Sequence, residues 1–225
     1  MTKLIKMCSQ NIQLFENNIC EAVELASKMI QNGKVIAVPT DTIYGLACSA
    51  KNKDAIQSLY DVKGRDMNKP LAICVGDIND IKKWCVLTVT NDLLSDLLPG
   101  QVTVVLERSQ NLNKDLNPLT DLVGVRIPNY EFMQKLSMKC GPLALTSANV
   151  STHDSTLSVD EFKAIWPKLE GVFDGGSLES YDPLRLGSTV VDLSVKNGFK
   201  IIRDGCALNR TIDILQNKHL LKRIY

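Results

Sequence analysis

The chain is short of aromatic residues, of histidine and of net charge, and each shortage removes a class of function. Aromatics make up 5% of its 225 residues, too few for a surface that stacks unpaired bases. Lys and Arg total 26 against 25 Asp and Glu, a formal charge of +1. Nothing in the bulk asks for nucleic acid or an anionic membrane, so any basic site must be local. There are two histidines, His153 in a polar loop and His219 near the end. A Ser-His-Asp set has nothing to build on there, and without a C-x-x-C pair neither has a zinc site. No apolar run approaches the ~18 residues of a membrane span. The G-x-x-x-x-G-K-S/T loop and the Rossmann fingerprint are also missing, so a nucleotide site would need another design.

Cysteine is not scarce, but the seven are odd in number and most sit among apolar neighbours, as in Leu71-Ala72-Ile73-Cys74-Val75. They read as buried free thiols in a reducing compartment. An apolar setting raises a thiol pKa, which counts against Cys74 as a nucleophile. Met1 to Gln13 holds Lys3 and Lys6 but no Arg and no apolar core, unlike a transit or signal peptide. The expected location is the cytosol, with a mitochondrial fraction left open.

What is present is an ordinary globular balance, 44% hydrophobic and 23% charged. A chain this long buries roughly 70% of its unfolded surface. Apolar steps of three and four from Ile19 to Ile30 predict a helix, followed by a buried strand over Lys34–Val38 that Pro39 ends. The alternation continues. Helices are expected at 53–63, 78–84, 91–97, 131–138, 159–166 and 208–215. Strands are expected at 71–75, 102–106, 123–127, 143–145, 172–173, 189–193 and 200–202. This pattern predicts an α/β fold, a single-domain, twisted, open, mixed sheet with flanking helices. The late strands suggest antiparallel additions. No repeat or linker divides the chain. Residues 1–14 read as a short extension, 15–205 as the main domain, and 206–225 as a C-terminal helix and tail packed on it.

Four polar clusters fall at element ends, where open α/β sheets bind ligands. Pro39-Thr40-Asp41-Thr42-Ile43-Tyr44-Gly45-Leu46 breaks a strand with hydroxyls and a carboxylate; locally it reads as a capped turn. Lys63-Gly64-Arg65-Asp66 ends a helix, either as a C-cap with dipole-matched cations or as a phosphate clamp. Thr146-Ser147-Ala148-Asn149 is a strand end that can also hold phosphate or ribose oxygens. Arg185-Leu186-Gly187-Ser188-Thr189 enters a strand, with Ile202-Arg203-Asp204-Gly205 soon after. Arg126 follows another buried strand. The inventory is cations, hydroxyls and amides, which suits positioning and charge stabilisation more than covalent catalysis.

Taken in order, Pro39 to Leu46, Lys63-Gly64-Arg65, Lys69-Pro70-Leu71, Pro99-Gly100-Gln101-Val102-Thr103, Val125-Arg126-Ile127-Pro128, Thr146 to Asn149 and Gly187-Ser188-Thr189-Val190-Val191-Asp192 resemble the YrdC family. The resemblance runs from about Val35 to Gly205. Asp96 to Gly100, Asn113 to Pro118 and Ile202 to Leu208 look like the animal single-domain form in particular.

The resemblance implies an ATP-binding nucleotidyltransferase. Such a protein makes L-threonylcarbamoyladenylate from L-threonine, bicarbonate or CO2, and ATP, with Mg2+ carried by ATP and pyrophosphate released. A tRNA threonylcarbamoyl transferase complex would receive the product for adenosine 37 of tRNAs reading codons that begin with A. It implies catalytic roles for Lys63, Arg65, Ser147 and Asn149, and further ATP contacts at Ser155, Ser188 and Arg203. Threonine would meet Thr42, Arg126 and Cys74, with Arg126 facing its carboxylate. Some relatives carry His at the position of Cys74, and longer ones add a C-terminal domain that covers the site. Here closure would have to come from within the domain or its termini. Two other readings stand beside this one. The first is an RNA-binding module, with weak tRNA binding by Lys63, Arg65, Arg126 and Arg203. The second is a carbamoyl-transfer reaction, whose known carriers have zinc motifs that are missing here.

Overall fold

The alternation of side chains along the strands decides which face of the sheet is covered and by what. In the computed structural model, residues 2–7, 12–64, 69–149, 154–179 and 181–225 are described. The strands are β1 (Lys3–Lys6), β2 (Ile36–Val38), β3 (Gly45–Ser49), β4 (Ala72–Cys74), β5 (Cys85–Val86), β6 (Val102–Arg108), β7 (Leu122–Arg126), β8 (Leu143–Ser147), β9 (Gly171–Asp174), β10 (Thr189–Asp192), β11 (Gly198–Arg203) and β12 (Lys222–Arg223). The α-helices are α1 (Ile12–Gln31), α2 (Lys53–Lys63), α3 (Ile78–Trp84), α4 (Asn91–Leu97), α5 (Glu131–Cys140) and α6 (Leu208–Asp213). One sheet runs β1-β9-β2-β3-β8-β4-β7-β6-β10-β11-β12, with β5 also on β6.

The sheet is mixed, as expected. β4 and β7, β6 and β10, and β9 with both β1 and β2 pair in parallel. β3 and β8, β8 and β4, and β6 and β7 pair antiparallel. Antiparallel pairs therefore occupy the centre as well as the late β10–β11 pair.

Successive residues of a strand point to opposite faces. On one face Ala37, Leu46, Ile73, Val104, Val125, Ala144, Val172 and Val191 join Leu59 of α2, Ile81 of α3 and Leu94 of α4 in the larger core. On the other, Ile36, Val38, Ala47, Cys74, Leu143, Leu145 and Phe173 pack under Ala26 and Ile30 of α1 and Phe132 and Leu136 of α5. Those two helices cover only the half of the face nearer β1. The remaining half, over β7, β6, β10 and β11, is left open.

Two expectations need correction. The segment 1–14 is not merely an extension, because Lys3–Lys6 pairs in parallel with β9 as an edge strand and α1 begins at Ile12. Residues 159–166 lie in a 3-10 helix, Val159–Lys168, kinked at Phe162 and containing Pro167. Proline lacks the N–H that an α-helical turn would need there. After α6 the π-helical turn Ile214–Lys218 leads to β12, which pairs in parallel with β11. Among the described residues no helix is long and apolar enough to cross a membrane.

Candidate functional site

The open half of the sheet face is a cleft of about 560 Å³. Its floor comes from the residues that alternate with the larger core. These are Thr103 and Val105 of β6, Gly124 and Arg126 of β7, Val190 and Asp192 of β10, and Ala72 of β4. Small side chains keep the floor low. A Cβ on Gly124 would stand 2.9 Å from the Thr103 methyl, closer than packed carbons approach.

Ser147 also lines the cleft, and behind it lies Lys63, the last residue of α2. Asn52 caps the start of that helix by accepting from the Ala55 amide, and Gly64 ends it in the left-handed conformation, φ 55°. Lys63 does not run out into water as a dipole-matched cation would. Only 3% of it is exposed. Its Nζ donates to the Ser147 carbonyl at 2.6 Å, to Ser147 Oγ at 2.9 Å and to Asn149 Oδ1 at 2.7 Å. It also bonds the Asn149 carbonyl. An ammonium has three hydrogens, so four oxygens share them. The turn that presents these oxygens is itself fixed, because the Ala148 amide donates to the Tyr44 carbonyl at 2.9 Å.

Beside it stands the turn between β2 and β3. Thr40 Oγ1 accepts from the Thr42 amide at 3.1 Å and donates to the Ile43 carbonyl at 2.7 Å. This folds the chain so that Asp41 and Thr42 meet Arg126. One guanidinium nitrogen, Nη2, donates to Asp41 Oδ1 at 2.7 Å and to Thr42 Oγ1 at 2.8 Å. Arg126 lines the cleft. Its Nε, and the second oxygen of Asp41, have no hydrogen-bond partner among the described residues. Buried groups left this way are unusual and call for a reason.

The opposite wall is Ser188 and Arg203. Arg203 Nη2 donates to the Ser188 carbonyl at 2.7 Å and to Ser188 Oγ at 3.0 Å, and Ser188 Oγ lies 2.8 Å from Thr103 Oγ1.

Lys63, Ser147 and Asn149 are thus joined directly, and Thr42 joins Arg126. Ser188 and Arg203 share one wall. Arg65 falls outside the described residues. Ser155 stands apart from the cleft lining; its carbonyl accepts from Arg185 Nη1 at 2.9 Å. Cys74 shares the sheet face with Ala72 but lies under α5, where its Sγ is 3.2 Å from Ser137 Oγ. It does not line the cleft. Burial pushes its thiol up to about 12, against the opposing Ser137 hydrogen bond. Among the described residues no group of three His, Cys, Asp or Glu could hold a metal.

Sequence reasoning missed Asp41 as a partner of Arg126, together with Thr103 and Asp192. The available signal was alternation: in Val102–Leu106 the odd member of a buried strand is a threonine.

The family of Sua5, YciO and YrdC, described as telomere recombination, matches residues 28–205. A Bos taurus protein named threonylcarbamoyl-AMP synthase is 55% identical over 204 residues, 89% of this chain and 74% of that one. A Homo sapiens protein of the same name is 54% identical over 202 residues, 88% of this chain and 72% of that one. A crystal structure of P. abyssi Sua5 complexed with L-threonine superposes with a TM-score of 0.81 at 25% identity. It covers 100% of this chain, which spans 62% of that longer one.

Proposed function

Because the chain belongs to the Sua5, YciO and YrdC family, we infer that it makes threonylcarbamoyl-AMP from L-threonine, bicarbonate or CO2, and ATP. The observation that carries this reading is that two clusters suited to different anions each give one residue, Ser147 and Arg126, to the lining of one cleft. Lys63 with Ser147 and Asn149 supports phosphate chemistry, and Arg126 with Thr42 suits the carboxylate of an amino acid.

The reaction asks little covalent work of the protein. The amine nitrogen of threonine bonds to the carbon of CO2 and loses a proton, giving N-carboxythreonine. A carbamate oxygen then attacks the α-phosphorus of ATP, the bond to the β-phosphate oxygen breaks, and pyrophosphate leaves. Arg126 takes the threonine carboxylate by a charge-assisted hydrogen bond from an N–H group that Asp41 and Thr42 leave free, and Thr42 helps to hold the guanidinium in place. Lys63 exchanges one of its shared oxygens for a phosphate oxygen, and Arg65 supplies a second cation. Both offset charge that builds on the leaving group in a site with restricted water, where such contacts are strongest. Ser147 and Asn149 keep Lys63 in place and align the attack. Ser188 and Arg203 form the wall toward the nucleotide. Mg2+ enters with the triphosphate, held by phosphate oxygens and water.

The adenylate is an activated acyl donor. We assign its use to a separate transferase acting on adenosine 37 of tRNAs that read codons beginning with A, in the cytosol. The RNA-binding reading is weaker, because the formal charge is +1 and aromatics are 5%, and Lys63 and Arg203 already donate to neighbouring oxygens. Incubation with ATP, bicarbonate and each amino acid in turn tests the proposal. A threonine-dependent adenylate with matching pyrophosphate is expected. Equal products with every amino acid, or tRNA retention with no turnover, would sink it.

A further inference from the structure

The contact between Asp41 and Arg126 is one-toothed. A full fork between guanidinium and carboxylate uses two nitrogens and two oxygens. Here one nitrogen, Nη2, serves both Asp41 Oδ1 and Thr42 Oγ1, while Arg126 Nε and Asp41 Oδ2 stay unpartnered. Asp41 is held there from behind: Gln101 Nε2 donates to its carbonyl at 2.9 Å. It borders a second cavity of about 300 Å³ and does not line the cleft, whereas Arg126 does. The ion pair is therefore a partition. Its positive side faces the substrates and its negative side is turned away from them.

An arginine open to the same cleft as a triphosphate has a selectivity problem. Its fork fits phosphate as well as it fits carboxylate. We propose that Asp41 solves this as a positioning residue, limiting Arg126 to one singly charged carboxylate and refusing phosphate. The inference rests on the reading in which Arg126 receives the threonine carboxylate. Asp41 does so in two ways. It fixes Nη2, and with Nε buried the Nη1 hydrogens are what remain for a ligand. It also cancels the arginine charge at short range. A monoanion then completes the site, while a dianionic phosphate meets a like charge across a buried, weakly screened gap.

The test is Asp41→Asn, which preserves size and an acceptor oxygen but not the charge. Adenylate formation is measured against threonine with and without added inorganic phosphate. The expected result is a threonine KM raised roughly tenfold with kcat at saturation within about threefold, and phosphate newly competitive with threonine. Asp41→Glu keeps the charge; it is expected to shift KM without phosphate competition. An Asn variant insensitive to phosphate, or phosphate competition equal in both variants, would overturn the proposal. If the Asn variant does not fold, the unmodified protein decides: phosphate competing with threonine overturns the proposal, and phosphate that leaves the threonine KM unchanged supports it. Complete lack of threonine-dependent adenylate in the unmodified protein would instead sink the synthase reading, a result distinct from normal turnover with unchanged selectivity.

Discussion

The ammonium of Lys63 and the side-chain oxygen of Asn149, 86 residues apart in sequence, meet at 2.7 Å. The contact welds the end of α2 to the turn after β8 and places a buried cation behind Ser147, which lines the cleft.

Replacing Lys63 by Met removes that cation and leaves Ser147 and Asn149 with oxygens that have lost their donor. Adenylate formation is expected to fall at least about a hundredfold, the scale of losing one transition-state donor. Stability should fall by about 1–3 kcal/mol for the unsatisfied acceptors. Lys63→Arg is not expected to restore the rate, since a planar fork cannot occupy a point shared by four oxygens. Pyrophosphate release and a denaturant midpoint measure the two effects separately.

Arg65→Ala is expected to lower synthesis by at least about a hundredfold on the same scale. Near-normal threonine-dependent pyrophosphate release in that variant would remove Arg65 from the mechanism.

Gly205 packs against the wall formed by Ser188 and Arg203. A Cβ there would stand 2.3 Å from both the Ser188 carbonyl carbon and the Thr189 amide nitrogen, which are backbone atoms with no room to yield. Gly205→Ala is expected to cost about 3 kcal/mol, the upper end for overpacking, and to raise the ATP KM by displacing Ser188 and Arg203. Thermal melting and ATP saturation curves check both.

Burial pushes the thiols of Cys48, Cys74 and Cys85 up to about 12, whereas an unfolded cysteine titrates near about 8.5. The folded state holds these protons more tightly. Their stabilising contribution is therefore complete below the unfolded value and is lost as pH rises through the interval to about 12. A thiol reagent at mildly alkaline pH should label exposed Cys20 in the native protein. Cys48 and Cys74 should be labelled only after unfolding, which mass spectrometry of digested protein resolves. Labelling of native Cys74 at the rate of Cys20 would contradict its burial.

Much of the fold was legible because its signals are local. The helix at 53–63 is marked by Gly64 at its end, and its bounds agree with the structure, which adds Asn52 as the cap at its start. The strand at Gly45–Ser49 escaped because it follows directly on the polar turn at 40–42, and its glycine, alanine and cysteine give a weak strand pattern. β1 escaped for another reason. Its half-exposed Lys-Leu-Ile-Lys acquires meaning only from the distant partner β9. The site divides in the same way. Lys63, Ser147 and Asn149 were legible as ends of elements lying in a recognisable order. Asp41 was not, since nothing local says that the carboxylate of a turn will be paired with an arginine 85 residues away.

Helices α1 and α5 stop halfway across their side of the sheet, so among the described residues the other half has no second layer. In the proposed function, nucleotide and amino acid supply it. Thr103, Val105, Val190 and their neighbours would then be covered by ligand, and occupancy would be part of the folding equilibrium. A ligand at a hundred times its Kd adds about 2.7 kcal/mol in this way. The protein is then least stable when idle, and the supply of its substrates becomes a term in its own survival.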